Sequence, residues 1–379
     1  MLFLISSLII AIACSVITLK TLVGYSDIKC GFKIIIGAVI ILGWFAFPLI
    51  RLISKYNLIS SPEAYTVVVH SLYGLMGFVF ILFALIMIRD VVWYALYGAA
   101  KLMGFAGWSL DPKNLSALSK ANQIVVVLSL IIAAIALHNG NKMPQVKEIY
   151  LTSDKITQDI TIAQISDLHI TRSSLDSRIQ SIVSQVNMLN PDVIVLTGDT
   201  IDDDIPLIQK KLGLLKELSA PYGVYSIMGN HEYYHDVYAA KRMLDSLGLK
   251  FLFNGGIHVG NSHVFIAGIP DLGTMAERIN LWRTVNKSEK DDYRVMLSHT
   301  PDIINSLSSG LFDLVLAGHT HGGQIFPFHL LALQATPYLA GQYSVNGTEL
   351  YVSRGAGSWG PQMRLFAPTD ITLIHLNKK

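Results

Sequence analysis

The spacing of apolar residues changes character near residue 140. Before it, Leu, Ile, Val, Phe and Ala fill almost unbroken stretches at residues 2–19, 34–50, 65–88 and 123–137. A helix needs about 20 apolar residues to cross the hydrocarbon of a bilayer, so the pattern predicts about four transmembrane helices. The first stretch lacks a basic leader and is followed by three more, which predicts a retained helix rather than a cleaved signal. Residues 91–110 carry Trp93, Tyr94, Tyr97, Phe105 and Trp108 around Lys101. That mixture predicts an interfacial helix continuing from the third span.

Beyond residue 140 the runs shorten and begin to alternate. Residues 160–165, 193–196, 224–227, 264–266, 295–297 and 314–316 read as buried strands. Between the first two, Ile179, Ile182, Val183, Val186 and Leu189 recur at helical spacing, and Pro191 follows. Residues 207–218 and 237–247 repeat the helical pattern. The expected organisation is a membrane region over 1–140, a linker over 141–155 and a layered α/β domain over 156–379.

Composition supports that division. Of 379 residues, 51% are hydrophobic and only 15% charged, against about 25% charged in ordinary soluble domains. The net charge of +2 and the absence of a basic run exclude nucleic acid as an expected partner. Both cysteines, Cys14 and Cys30, lie in the apolar half, so the α/β domain has neither a disulfide framework nor a thiolate metal site. Lys20, Lys29 and Lys33 in the first loop and Arg89, Lys101, Lys113 and Lys120 in the third outnumber Arg51 and Lys55 in the second and Lys142 and Lys147 after the last span. This bias places the α/β domain on the extracytoplasmic side.

Residues able to bind metal recur just past the predicted strands. They are Asp167 and His169 in SDLHI, Asp199 and Asp202 in TGDTID, and Asn230, His231 and Glu232 in MGNHE. His299 follows in SHTPD, then His319 and His321 in AGHTH. Open α/β sheets bind ligands at the carboxyl ends of their strands. A lone Asp after a strand is usually a turn residue, but five ordered strand ends delivering these groups to one rim is not a turn pattern. Imidazole, carboxylate and amide oxygen without thiolate suit Mn, Fe or Zn. The donors are too many for one tetrahedral ion and sufficient for two octahedral ones. Two ions need one bridging carboxylate, and together they activate a water as hydroxide for displacement at phosphorus.

Taken in order, SDLH, GD, GNHE, H and GHTHGGQ resemble the calcineurin-like metallophosphoesterase superfamily. The resemblance implies a two-sheet β-sandwich flanked by helices. It further implies that Asp167, His169, Asp199 and His321 hold one divalent ion and Asp199, Asn230, His299 and His319 a second, with Mn²⁺ expected and Fe or Zn as alternatives. His231 would protonate the leaving oxygen or stabilise the transition state, and Asp202, the second Asp of the GDxxD pattern, would orient it. The region from GGQI through YLAGQYSVNGTELYVSRGAGSWGPQMRLFAPTDITLIHL, together with the multi-span half, looks like the membrane-anchored bacterial branch of the superfamily. Arg172 and Arg354 are candidates to grip phosphate, with Tyr233, Tyr234 and Arg364 further choices. Gly318, Gly322 and Gly323 suggest a loop with unusual backbone angles.

The expected function is therefore a membrane-anchored phosphoesterase or pyrophosphatase in a bacterial cell membrane. Its partners would be the lipid bilayer and a phosphorylated small-molecule or lipid substrate. An inactive receptor or scaffold is the alternative, but degenerate members lose ligands and none is missing here. A transporter would need an intramembrane ion path, and the spans hold few charges.

Overall fold

The computed structural model describes residues 2–24, 29–104, 111, 114–272 and 278–379. The chain divides into two compact units, Met1–Asn139 with Gly360–Met363 and Gly140–Trp359 with Arg364–Lys379.

The first unit is helical. Leu2–Leu19 runs on into a π-helical turn at Lys20–Gly24. Cys30–Trp44 and Ala46–Lys55 follow as a pair bent by 60°. Pro48 stands just past the bend. With no N–H it leaves the carbonyl four residues earlier unbonded and crowds it, a usual cause of a kink. Pro62–Leu102 is a single 41-residue helix, started by Ser61, whose hydroxyl accepts from the Ala64 N–H at 3.3 Å. At 1.5 Å per residue it is about 60 Å long, roughly twice the hydrocarbon thickness. The aromatic segment at 91–110 thus continues the third span in the same helix as far as Leu102, and residues 105–110 lie outside the described residues. Leu115–Asn141 completes the set. Among the described residues three helices are long and apolar enough to cross a membrane, and four if the bent pair counts as one span.

The second unit is built on two six-stranded sheets. Its strands are β1 (Gln145–Ser153), β2 (Ile160–Ile165), β3 (Val193–Thr197), β4 (Val224–Ile227), β5 (Leu249–Phe251) and β6 (Gly255–His258). They continue with β7 (Val264–Gly268), β8 (Tyr293–Leu297), β9 (Leu314–Ala317), β10 (Gly341–Val345), β11 (Thr348–Val352) and β12 (Asp370–Lys378). One sheet has the order β1-β12-β2-β3-β4-β5, the other β10-β11-β9-β8-β7-β6. Strand β1 occupies most of the stretch expected to be a linker. Its edge position and half-exposed residues explain why the pattern there was too polar to read as a strand.

Alternation along each strand fills two layers. In β2, Ile160 and Ile162 face the other sheet, where they meet Val264, Ile266, Val295 and Leu316. Ala163 and Ile165 face outward into a second core with Ile179, Ile182, Val183 and Val186 of the helix Asp176–Met188. Buried on both faces, β3 reads as the unbroken apolar run VIVLT. Strands β2, β3, β4 and β5 are parallel in one sheet, and β7, β8 and β9 in the other. Parallel pairing gathers the carboxyl ends of β2, β3 and β4 at one end of their sheet and those of β8 and β9 at one end of theirs.

Candidate metal centre

Five strands stop at the residues singled out above, and the backbone there takes unusual turns. Asp167, His169, Asp199, His319 and His321 all have positive φ, between 46° and 72°. Non-glycine residues seldom do this, and each such residue costs about 1–3 kcal/mol unless its surroundings impose it. Main-chain bonds between loops impose it here. Asp167 N–H donates to Gly198 O at 3.1 Å, His169 N–H to Asp199 O at 2.9 Å, and Gly318 N–H to His299 O at 3.0 Å. Two glycines admit the close approach. A Cβ on Gly198 would lie 2.7 Å from both Gly229 N and His299 Nδ1. At Gly318 a Cβ would run into Ser166 and Asp167. Gly318 is therefore there for space, whereas Gly322 and Gly323, at φ 60° and 76°, do take the left-handed turn.

The side chains converge in two groups. In the first, His169 Nε2 lies 3.0 Å from His321 Nε2, which is 3.5 Å from Asp167 Oδ1. In the second, His299 Nε2 lies 3.1 Å from Asp199 Oδ2, 3.1 Å from Asn230 Oδ1 and 3.2 Å from His319 Nδ1. Asp199 Oδ2 also lies 3.7 Å from His169 Nε2, so one carboxylate borders both groups. Apart from Asn230 and His319 these residues are buried. Imidazole nitrogens turned toward each other beside carboxylate oxygens suit a cation between them. The far nitrogens of two rings are already fixed: His299 Nδ1 lies 2.9 Å from Thr197 O and His169 Nδ1 3.1 Å from Asp202 Oδ2. Outer hydrogen bonds of that kind orient ligating histidines. The donor set therefore fits divalent ions.

The charges around the groups are uneven. Burial opposes ionisation of Asp199, yet His299, with His169 and His231 beyond it, holds its carboxyl below the ordinary range. Burial likewise opposes Asp202, and hydrogen bonds from His169, His231 and His235 hold it well below. His321 is pushed well down, by burial first and then by His169 and Arg364, so it stays neutral at pH 7 as a ligand must.

Asp202 does more than the sequence suggested. Its Oδ1 lies 2.5 Å from His231 Nδ1 while its Oδ2 holds His169, so one carboxylate braces a residue of the first group and the candidate acid together. His231 also donates its backbone N–H to Asp199 Oδ1 at 2.9 Å, and its Nε2 stands 4.0 Å from Asp199 Oδ2. Its ring borders Tyr234 at 5.1 Å and Trp359 at 6.3 Å between centroids.

Glu232, metal-capable on paper, has another task. Its buried carboxylate accepts from Asp199 N, Thr200 N, Ile201 N and Gly229 N at 2.7–3.1 Å and so ties the β3 and β4 loops together. Burial, then the charge of Asp199, push its carboxyl up to about 7.

Two arginines expected to grip phosphate are paired within the domain. Arg172 Nε donates to Asp203 Oδ2 at 2.9 Å, and Arg354 Nη1 lies 3.5 Å from Asp370 Oδ2. Arg364 is fully buried. Its Nη1 donates to the carbonyls of His321, Arg354 and Ala367 at 2.9–3.2 Å, and its Nη2 lies 3.0 Å from His321 Nδ1. Its fork braces the His321 turn and does not face a substrate. No motif announces that role, because the residue lies 43 positions away in an irregular loop.

A family model described as calcineurin-like phosphoesterase matches residues 160–323. A metallophosphoesterase of Campylobacter jejuni is 32% identical over 263 residues, 67% of this chain and 69% of its own. A zebrafish protein described as a transmembrane protein with metallophosphoesterase domain is 30% identical, over 67% of this chain and 62% of its own. Among solved structures, TT1561 of Thermus thermophilus is similar at a TM-score of 0.37 and 12% identity, covering 52% of this chain and 90% of its own. The chain belongs to the calcineurin-like metallophosphoesterase family. Like the zebrafish relative, it joins that domain to apolar helices able to span a membrane.

Proposed function

We propose that this chain is a membrane-anchored, metal-dependent phosphoesterase that cleaves phosphate ester or pyrophosphate bonds, with lipid-linked phosphates the substrate class its anchor favours. The observation that carries the reading is the pair of facing histidine–carboxylate groups sharing Asp199. Asp167, His169, Asp199 and His321 would hold one ion and Asp199, Asn230, His299 and His319 the other, with Mn²⁺ as the resident metal. When bound, two such ions supply Lewis-acid polarisation of the phosphate and a water nucleophile near neutral pH.

The chain's own residues do the rest. Asp199 and Asp202 keep their negative charge in a buried site and so orient the histidines around them. With Nδ1 engaged by Asp202, His231 presents Nε2 to the cleft, where it donates a proton to the departing oxygen. Tyr234 and Trp359 flank that ring and form an apolar shoulder for the leaving group. Full-length protein supplied with Mn²⁺ should hydrolyse an aryl phosphate monoester or diester and lose that activity on chelation. Inactivity across Mn²⁺, Fe²⁺ and Zn²⁺ toward monoesters, diesters and pyrophosphates alike would overturn the reading.

A further inference from the structure

The register of the first sheet fixes where the chain enters the catalytic domain. Strand β1 runs parallel to β12, with Gln145 beside Asp370, and β12 runs antiparallel to β2, with Thr372 beside Gln164. The amino end of β1 and the carboxyl end of β2 therefore lie at the same end of the sheet. Asp167 and His169 leave from that end. Only Lys142, Met143 and Pro144 separate β1 from the apolar helix Leu115–Asn141, a reach of roughly 10 Å even fully extended.

Nor is this entry segment slack. Arg178 Nη1 donates to the carbonyls of Asn141 and Lys142 at 3.2 and 3.1 Å, and Gln185 Nε2 to Pro144 O at 2.9 Å. The same guanidinium reaches Ala356 O at 3.3 Å, and Ala356 N–H bonds Ser166 O beside Asp167.

The catalytic end also carries exposed apolar side chains. Just past the His319–His321 turn lies the helix Phe328–Ala335, none of whose residues is buried. Leu330 and Leu331 are 54% and 62% exposed, and Phe366 is 83% exposed. Phe326 stacks on His329 of that helix at 4.8 Å and packs edge-on against Phe366 at 5.8 Å, which joins the two into one patch. Soluble surfaces seldom show contiguous leucine and phenylalanine, and where they do the patch marks a docking site.

We propose that this patch docks on the bilayer itself, with Leu330, Leu331 and Phe366 seated at the headgroup–acyl boundary and the metal centre opening toward the lipid. Three facts choose the bilayer over other occupants: the chain carries helices long and apolar enough to cross one, only three residues separate the last of them from β1, and β1 begins at the catalytic end of its sheet. Short helices with such a face bind interfaces in proportion to the apolar area they bury. The consequence for substrate, which rests on the phosphoesterase reading above, is direct. A phosphorylated lipid could reach the centre without leaving its leaflet.

The test uses full-length protein in phosphatidylcholine–phosphatidylglycerol proteoliposomes, with Cys14 and Cys30 replaced by Ser. An environment-sensitive fluorophore is placed on Leu331→Cys or, as a control in the β1–β2 turn at the opposite end of the sheet, on Asp154→Cys. Doxyl-labelled lipid should quench the probe at 331 and not at 154, with aqueous iodide showing the reverse. Iodide quenching at 331 equal to that at 154 would overturn the proposal. So would disulfide-linked dimers through position 331, which would assign the patch to a second copy of the chain. As a second arm, Leu330→Asn with Leu331→Asn should leave hydrolysis of a soluble aryl phosphate unchanged and slow hydrolysis of a vesicle-borne lipid phosphate at least about tenfold. Equal rates on both substrates would overturn the role in substrate access. The quenching arm does not depend on turnover, so an inactive enzyme would sink the proposed function and leave the docking result readable.

Discussion

The two histidine groups of the centre look alike in composition and differ in what holds them. The group of Asp167, His169 and His321 is braced by charged side chains, Asp202 behind the His169 ring and Arg364 behind the His321 carbonyl. In the group of Asp199, His299 and His319 the His299 ring is held by main chain, the Thr197 carbonyl, with Gly198 leaving it room, although the Glu232 side chain still accepts from Asp199 N. Side-chain braces can be removed by a single substitution. Main-chain braces cannot. The His169 ring can therefore be released by one substitution, whereas the hold on the His299 ring cannot.

Substitution of the shared carboxylate should erase the distinction. Asp199→Ala is expected to lose both ions and lower turnover by roughly 10³-fold or more, read by elemental analysis beside kinetics; retention of either ion would show that the carboxylate is not shared. Next comes His231→Ala, expected to lower activity by about 10²–10⁴-fold while both ions remain. Loss of metal in that variant would make His231 a ligand and remove its assigned part in proton transfer.

The contrast between the groups is probed by Asp202→Asn, which should weaken binding of one ion by about 10–100-fold and spare the other in a titration of metal content. Equal weakening of both would dissolve it. The smallest effect is expected of Arg364→Lys, which keeps the charge and loses the fork. One ion should bind more weakly as the His321 turn loosens, and even one buried carbonyl left without a donor, at about 1–3 kcal/mol, should lower the melting temperature by roughly 2–12 °C. An unchanged melting temperature would mean that the fork is dispensable.

The residues legible in the sequence are those that strands deliver. Asp167, Asp199, Asn230, His299 and His319 each follow an apolar run within a few positions, so motif and strand announce each other. Arg364 and Glu232 were visible as residues but not as braces, because each acts through backbone atoms of loops distant along the chain. Strand β1 is not legible in the sequence, since an edge strand with one half-exposed face, QVKEIYLTS, lacks the apolar density of VIVLT. In the helical unit apolar density showed where helices form. The aromatics after Ile88 showed that the third span continues as helix, and the structure keeps it in one helix to Leu102, with Arg89 and Asp90 paired at 2.5 Å.

The main-chain bonds between loops at the strand ends carry a consequence for how the protein matures. Asp167 to Gly198, His169 to Asp199 and Gly318 to His299 are joined by amide and carbonyl groups that need no ion. The left-handed turns are thus set by the fold, and the socket is finished as soon as the sheets close. On the proposed function, metal loading can then follow synthesis and folding of a new chain. The ion acquired would be decided by the compartment in which the finished socket first meets free metal.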